Sequence, residues 1–169
     1  SVMLLGGLGT TDDVHMGGTQ YAKVILNEIW GLPPALDMSY EKRVQQTVRE
    51  AIAAGLVESA HDVSDGGLAV TLAESSFGGS GIGARIEPDS ALRPEFLMFH
   101  EGPSRILIST AQPENILELA QRQQVEVTVL GATMEGRLRV SNRSTVWIDS
   151  ELEALRQPWE TSLERMMNQ

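Results

Sequence analysis

Two carboxylates, a hydroxyl, an imidazole and a pair of glycines are gathered in the stretch His61-Asp62-Val63-Ser64-Asp65-Gly66-Gly67-Leu68, directly ahead of an apolar-periodic segment from Ala69 to Phe77. Turn formers placed before a helical pattern convert a strand end into an exposed helix N-terminus. The unpaired N–H groups and the positive dipole end of such a terminus favour an anion, and glycines let a ligand approach backbone that a Cβ would shield. Ser64, Asp65, Gly66 and Gly67 are therefore candidates for holding phosphate. Asp62 and Asp65 are candidates for Mg2+, because carboxylates beside a phosphate act on it through a hard cation. A local reading stands beside this one, in which Ser64 or Asp65 caps the helix and the glycines make a tight turn.

Other chemistry is sparser. His61 is either a general base or a partly buried ring hydrogen-bonded to a carboxylate. Glu101, close in sequence to Arg105, either contacts a ligand or forms a surface ion pair worth at most about 1 kcal/mol. Asp12 and Asp13 form a second acidic pair in a glycine-rich loop, the usual setting of a solvated turn. His15, His61 and His100 lie far apart, with no HxH or HExxH spacing to suggest zinc. The chain has no cysteine, which excludes disulfides, thiolate catalysis and thiolate-bound zinc. Neither a GxGxxG turn after a strand nor a GKS or GKT phosphate loop occurs, and no Ser-His-Asp set has local support. No residue is assigned a catalytic role.

These candidates must be positioned by a chain of ordinary composition. Its 169 residues, 41% hydrophobic and 21% charged, suit a single domain spanning 1–169 with a real core. No apolar run approaches the roughly 20 residues that span a bilayer. The net charge of −10, from 23 acids and 13 bases with only Lys23 and Lys42 as lysines, argues against a nucleic-acid partner. Phosphate binding would have to be local, through backbone amides, an arginine or a metal ion. No secretory leader is visible, which together with the absence of cysteine fits a cytoplasmic setting. The immediate start of a strand-like run suits a domain cut from a longer chain, and an N-terminal Ser is equally consistent with ordinary Met removal.

The pattern along the chain predicts a mixed sheet covered by helices, an α+β fold. Val2–Leu5 reads as a short buried strand, followed by the glycine-rich loops at 6–9 and 17–19 and a helix from Gln20 to Trp30. A second helix runs from Tyr40 to Ala54, capped by Ser39 and stopped by Gly55, with Val44, Val48 and Ile52 as its stripe. Ser59–Val63 is extended, Gly67–Ser76 helical, 78–81 a loop, and Ile82–Glu87 a strand with Ile82, Ala84 and Ile86 on one face. Glu95–Phe99 makes a helical turn, Arg105–Thr110 a strand, and a helix starts at Pro113 and continues to Gln123. Val125–Val129 alternates as a strand with one wet face, and Arg137–Val140 and Thr145–Ile148 are further strands. Glu151–Arg156 and Trp159–Met167 read as two helices separated by Pro158. Trp30, Trp147 and Trp159 read as core or edge-packing residues.

The central stretch His61 to Ala69 resembles the HDVSDGGLA signature of phosphoribosylformylglycinamidine synthase subunit II, a family of purine biosynthesis. Gly17-Gly18-Thr19-Gln20-Tyr21 is similar to its GGSEY segment, and Gly81-Ile82-Gly83 follows the signature at a suitable distance. Phe99-His100-Glu101 through Arg105 sits where the family has FSES-x-GR, with His100, Gly102 and Pro103 departing from that pattern. The resemblance covers nearly the whole chain and implies the C-terminal PurM-like domain, with α/β/α layers. Aminoimidazole ribonucleotide synthetase and selenophosphate synthetase share such domains but carry variants of the central motif. The family reaction uses ATP and Mg2+ to activate a formamide oxygen, which ammonia from glutamine displaces. With no cysteine nucleophile here, a separate glutaminase domain or subunit must supply the ammonia. The resemblance also implies that the catalytic histidine and most nucleotide and metal ligands lie in preceding domains of the same polypeptide. This chain would contribute Ser64, Asp65, Gly66, Gly67 and Glu101 toward phosphate or nucleotide, and Asp62 and Asp65 toward metal. Alone, it is expected to be inactive and to form a homodimer through the face left open. The rival readings are a non-catalytic scaffold or accessory nucleotide-binding domain, or the C-terminal domain of a related ATP-dependent synthetase of the aminoimidazole ribonucleotide synthetase or selenophosphate synthetase type.

Overall fold

Val2–Leu5 (β1) runs through the middle of the molecule, and its four apolar side chains are buried on both faces. Val2 and Leu4 enter one core and Met3 and Leu5 the other, which is why the sequence is a continuous apolar run there and not an alternating one. The computed structural model describes residues 1–78 and 81–167, so the predicted loop at 78–81 lies partly outside the described residues. Six more strands complete one sheet: Ser59–Asp62 (β2), Ile82–Ile86 (β3), Ile106–Ser109 (β4), Val127–Glu135 (β5), Arg137–Asn142 (β6) and Thr145–Glu151 (β7). The order is β2-β4-β1-β5-β3-β6-β7. All neighbours are antiparallel except β3 and β6.

Helices cover both faces. Met38–Ala53 (α1) and Pro113–Gln123 (α4) bury Val44, Val48, Ala51, Ile116, Leu119 and Ala120 against Met3, Leu5 and Ile108. Gly67–Ser75 (α2) and Pro94–Phe99 (α3) pack Leu68, Leu72, Leu97 and Met98 against Leu4, Ile86 and Leu107 on the opposite face. Leu152–Met167 (α5) joins them through Leu152 and Leu155. This is the mixed, helix-covered sheet that the residue pattern predicts. No helix among the described residues is long and apolar enough to cross a membrane.

Several elements differ in detail from expectation. The N-cap of α1 is Asp37, whose carboxylate accepts the amides of Ser39 and Tyr40 at 2.8 and 3.0 Å, not Ser39. Its other end stops as predicted at Gly55, with Gly55 and Leu56 donating back to Ile52 and Ala51. The Gln20–Trp30 helix shrinks to one wide turn, Tyr21–Leu26, because Asn27 takes the left-handed conformation at φ 55 and the chain doubles back. Trp30 and Leu32 then donate to the carbonyls of Gly17 and Val14. β5 starts at Val127 and runs on to Glu135, while Val125 is buried beneath α4 ahead of it. Ile82 is half exposed and does not join Ala84 and Ile86 in the core. α5 continues through Pro158 as a single helix, anchored where Arg156 donates to the Phe77 carbonyl and Trp159 packs on the Phe77 ring. Trp159 itself stays half exposed.

Candidate functional site

β2 ends at Asp62, and Val63 extends its pairing by donating to the Arg105 carbonyl at 2.9 Å. The chain then turns: the Gly67 amide donates to the Ser64 carbonyl at 2.9 Å, and Gly66 sits at φ 82, ψ 0, the third-residue geometry of a type II turn, which favours glycine. Thr71, one turn into α2, fastens the start of the helix by donating to the carbonyls of Gly67 and Asp62. Ser64 and Asp65 are exposed, while Gly66 and Gly67 are buried.

Two other segments close on this turn. One carboxylate oxygen of Glu101 accepts the Gly66 amide at 2.7 Å and the Gln20 amide at 2.8 Å. The Gln20 side chain in turn donates to Asp65 at 3.4 Å. Next to Gln20, the Tyr21 ring stacks on Phe99 with centroids 4.9 Å apart and planes 13° from parallel. Behind them lies Arg105, a buried guanidinium that donates to the carbonyls of Gly7, Leu8 and His100 at 3.1, 3.1 and 2.8 Å. Burial without a carboxylate partner lowers its pKa to about 10, so it remains a cation at neutral pH, held by carbonyl dipoles.

His100 is the anomaly of this cluster. Its ring is buried between the glycines at 9 and 102, and both ring nitrogens lack a protein partner. Burial, the Arg105 charge and His15 together push its pKa down to about 4 from the ordinary 6.5. The unfolded chain therefore takes up this proton at higher pH than the folded one. Stability should fall as pH drops between 6.5 and 4, with a limiting slope of about 1.4 kcal/mol per pH unit from this group. Urea denaturation across that window should show the loss in the wild-type chain and a flatter profile in His100→Leu; equal slopes would refute the assignment.

A family model described as AIR synthase related protein, C-terminal domain, matches residues 1–141. The chain belongs to this family. Among curated relatives, the phosphoribosylformylglycinamidine synthase subunit PurL of Moorella thermoacetica is 42% identical over 155 residues, covering 90% of this chain and 21% of that protein. The chain thus spans about a fifth of the length of such relatives. Among solved structures, T. maritima PurL complexed with ATP is 21% identical with a TM-score of 0.68, over 91% of this chain and 25% of that one. The same protein complexed with FGAR gives a TM-score of 0.65 at 24% identity, over 91% of this chain and 27% of that one. These likenesses establish the shared fold.

In this AIR synthase-related domain the three stretches quoted from the sequence, 17–21, 61–69 and 99–105, form one cluster. Ser64, Asp65, Gly66, Gly67 and Glu101 all belong to it. The two glycines, however, are hemmed in: a Cβ on Gly66 would meet the Val70 side chain at 2.2 Å, and one on Gly67 would meet Met98 and Phe99 backbone at 2.8 Å. Their amides are also engaged, by Glu101 and by the Ser64 carbonyl. The Asp62 side chain points to solvent, three-quarters exposed, 3.8 Å from the His61 ring. His61 is partly buried, but its hydrogen bond goes to the Asp62 main-chain carbonyl at 2.7 Å, and the Glu74 carboxylate stands 3.7 Å from the other nitrogen, too far for the carboxylate hydrogen bond of the second reading. Among the described residues no three His, Asp or Glu side chains converge as a metal-ligand set. A cation here would need its remaining ligands from a phosphate or another domain.

Arg105 and Gln20 carry more of the site than the sequence suggested. Of the two readings open for Glu101 and Arg105, the surface ion pair does not form, because the two side chains serve different backbones. A signal was present in that an arginine stands next to an apolar strand and after a Gly-Pro turn. Nothing local, though, distinguishes it from an exposed strand-edge arginine.

Proposed function

We propose that this chain is the C-terminal PurM-like domain of a phosphoribosylformylglycinamidine synthase. Within the longer polypeptide it serves the ATP-dependent amidation of formylglycinamide ribonucleotide, with ammonia supplied from glutamine by a separate glutaminase. The observation that carries this reading is the cluster itself: the HDVSDGGLA stretch is clasped through Glu101 to the GGTQY segment, in a chain 42% identical to a protein of that name. A cytoplasmic setting is part of the same proposal, supported by a chain with no cysteine.

On this reading Ser64, Asp65, Gly66, Gly67 and Glu101 form the wall facing the nucleotide phosphates, and Asp62 and Asp65 face Mg2+. The structure favours the exposed groups for direct contact. Ser64 offers a hydroxyl and Asp65 a carboxylate, both in solvent, whereas the glycine amides are already paired. Carboxylates repel bare phosphate, so the fit is to a magnesium-bound nucleotide. The preceding domain has a surface to dock on: Val24, Ile25, Ile29, Leu32, Leu36 and Met38 follow directly on Tyr21 and are each at least half exposed. The same strip would serve a second copy of the isolated chain.

The test compares the isolated chain with the complete polypeptide. The chain alone should show no Mg2+-dependent ATP turnover, and the complete polypeptide should lose activity with Asp65→Asn. Turnover by the isolated chain that disappears with Asp65→Asn would overturn the division of labour. A scaffold or accessory nucleotide-binding role is the second reading, favoured by the paired amides at Gly66 and Gly67. It is distinguished by calorimetric titration with ATP and Mg2+, in which a scaffold gives no specific binding.

A further inference from the structure

We propose that Glu101 is a positioning residue that makes the Gly17–Tyr21 loop and the Ser64–Gly67 turn move as one wall, an inference that rests on the reading that this wall faces nucleotide phosphates. A single oxygen accepts amides from both segments, at 2.7 and 2.8 Å, the lengths of charge-assisted bonds. Displacing either amide therefore disturbs the other. Among the described residues no Lys, Arg or His forms an ion pair with Glu101; nearby Arg105 turns each of its three nitrogens to a main-chain carbonyl. The Glu101 charge is met instead by two main-chain N–H groups, that of Gly66 at the start of α2 and that of Gln20.

The consequence is geometric. Gln20 is held by its amide to Glu101 and by its side chain to Asp65, which closes a ring through Glu101, Gly66, Asp65 and Gln20. Tyr21 on Phe99 locks the same loop from its other side. The exposed Asp65 carboxylate is thereby presented at a fixed height above the turn, and Glu101, through the oxygen that accepts both amides, sets that height.

The test uses the complete synthetase and the isolated chain in parallel. In the chain, 15N NMR should show the Gly66 and Gln20 amide protons shifted downfield, and both should lose that shift in Glu101→Ala. In the complete enzyme, Glu101→Ala should raise KM for ATP about tenfold with kcat changed less than about threefold, the pattern of lost ground-state positioning. Glu101→Gln keeps the shape and an oxygen acceptor but not the charge, so it should recover part of the loss and guards against a variant that fails to fold. Asp65→Asn separates the two claims. If it raises KM while both Glu101 variants leave KM unchanged, the positioning role falls and the nucleotide wall stands. If neither position affects KM for ATP, the wall itself falls and the role of Glu101 with it. Amides that do not respond to Glu101→Ala overturn the clasp directly.

Discussion

Arg105→Ala should lower the unfolding free energy of the chain by about 3 kcal/mol or more, because it removes three charge-assisted hydrogen bonds, each worth about 1.5–3 kcal/mol, offset in part by no longer burying a cation. The three carbonyls that lose their donor, on Gly7, Leu8 and His100, belong to two separate segments of chain. Losing the guanidinium therefore unties the glycine-rich loop after β1 from the segment that carries Glu101. Arg105→Lys should rescue little, since one ammonium cannot match the planar fork that reaches three acceptors. Guanidinium chloride denaturation of the chain and both variants would measure this. A loss under about 1 kcal/mol for Arg105→Ala would mean that the loop is held by something else.

Gly67→Ala is expected to be comparably damaging for a steric reason. The residue has φ +65, where an L side chain is strained, and its Cβ would lie 2.8 Å from the Met98 carbonyl oxygen and from Phe99 main-chain carbons. Backbone cannot step aside as a flexible side chain can, so α3 would have to lift from α2. Phe99 would then carry Tyr21 and Glu101 with it. Gly55→Ala is the matched control, with φ +69 and nothing within 4 Å of the added methyl. It should cost about 1–2 kcal/mol, the conformational penalty alone, and Gly67→Ala should exceed it by at least about 2 kcal/mol. Equal losses at the two positions would show that the contact of α3 with the turn is loose. The comparison also bears on function. A bulky residue at 67 removes the turn by unfolding it, so loss of ligand binding in such a variant would say nothing about whether the turn touches phosphate.

What the sequence determined by itself is what short-range physics encodes. The α1 stripe of Val44 and Val48, the Gly55 stop, the N-terminal proline of α4 and the apolar run of β1 each need only a few neighbouring residues to be legible. The mixed, helix-covered sheet followed from their order along the chain. The Ser64–Gly67 turn was legible too, because two acids and paired glycines before an apolar helix admit few other conformations.

Tertiary structure decided the rest, wherever a side chain has to choose among distant partners. Ile52 and Val48 look alike on the α1 stripe, yet Ile52 is 52% exposed and Val48 buried, because the neighbours that cover the stripe come from α4 and β1. Pro158 reads as a helix break, but the docking of Arg156 and Trp159 on Phe77 and Glu74 carries α5 through it. The site shows the same division. The pairing of β2 with β4 brings Asp62 opposite Ile106, which sets the residues just before β4, Glu101 and Arg105 among them, beside the turn that follows β2. Only that register sends Glu101 to the Gly66 amide and Arg105 inward to three carbonyls. A carboxylate and an arginine four residues apart look like a surface ion pair in any sequence; the sheet separates them, because buried main-chain donors and acceptors must be paired and these two side chains are the groups within reach.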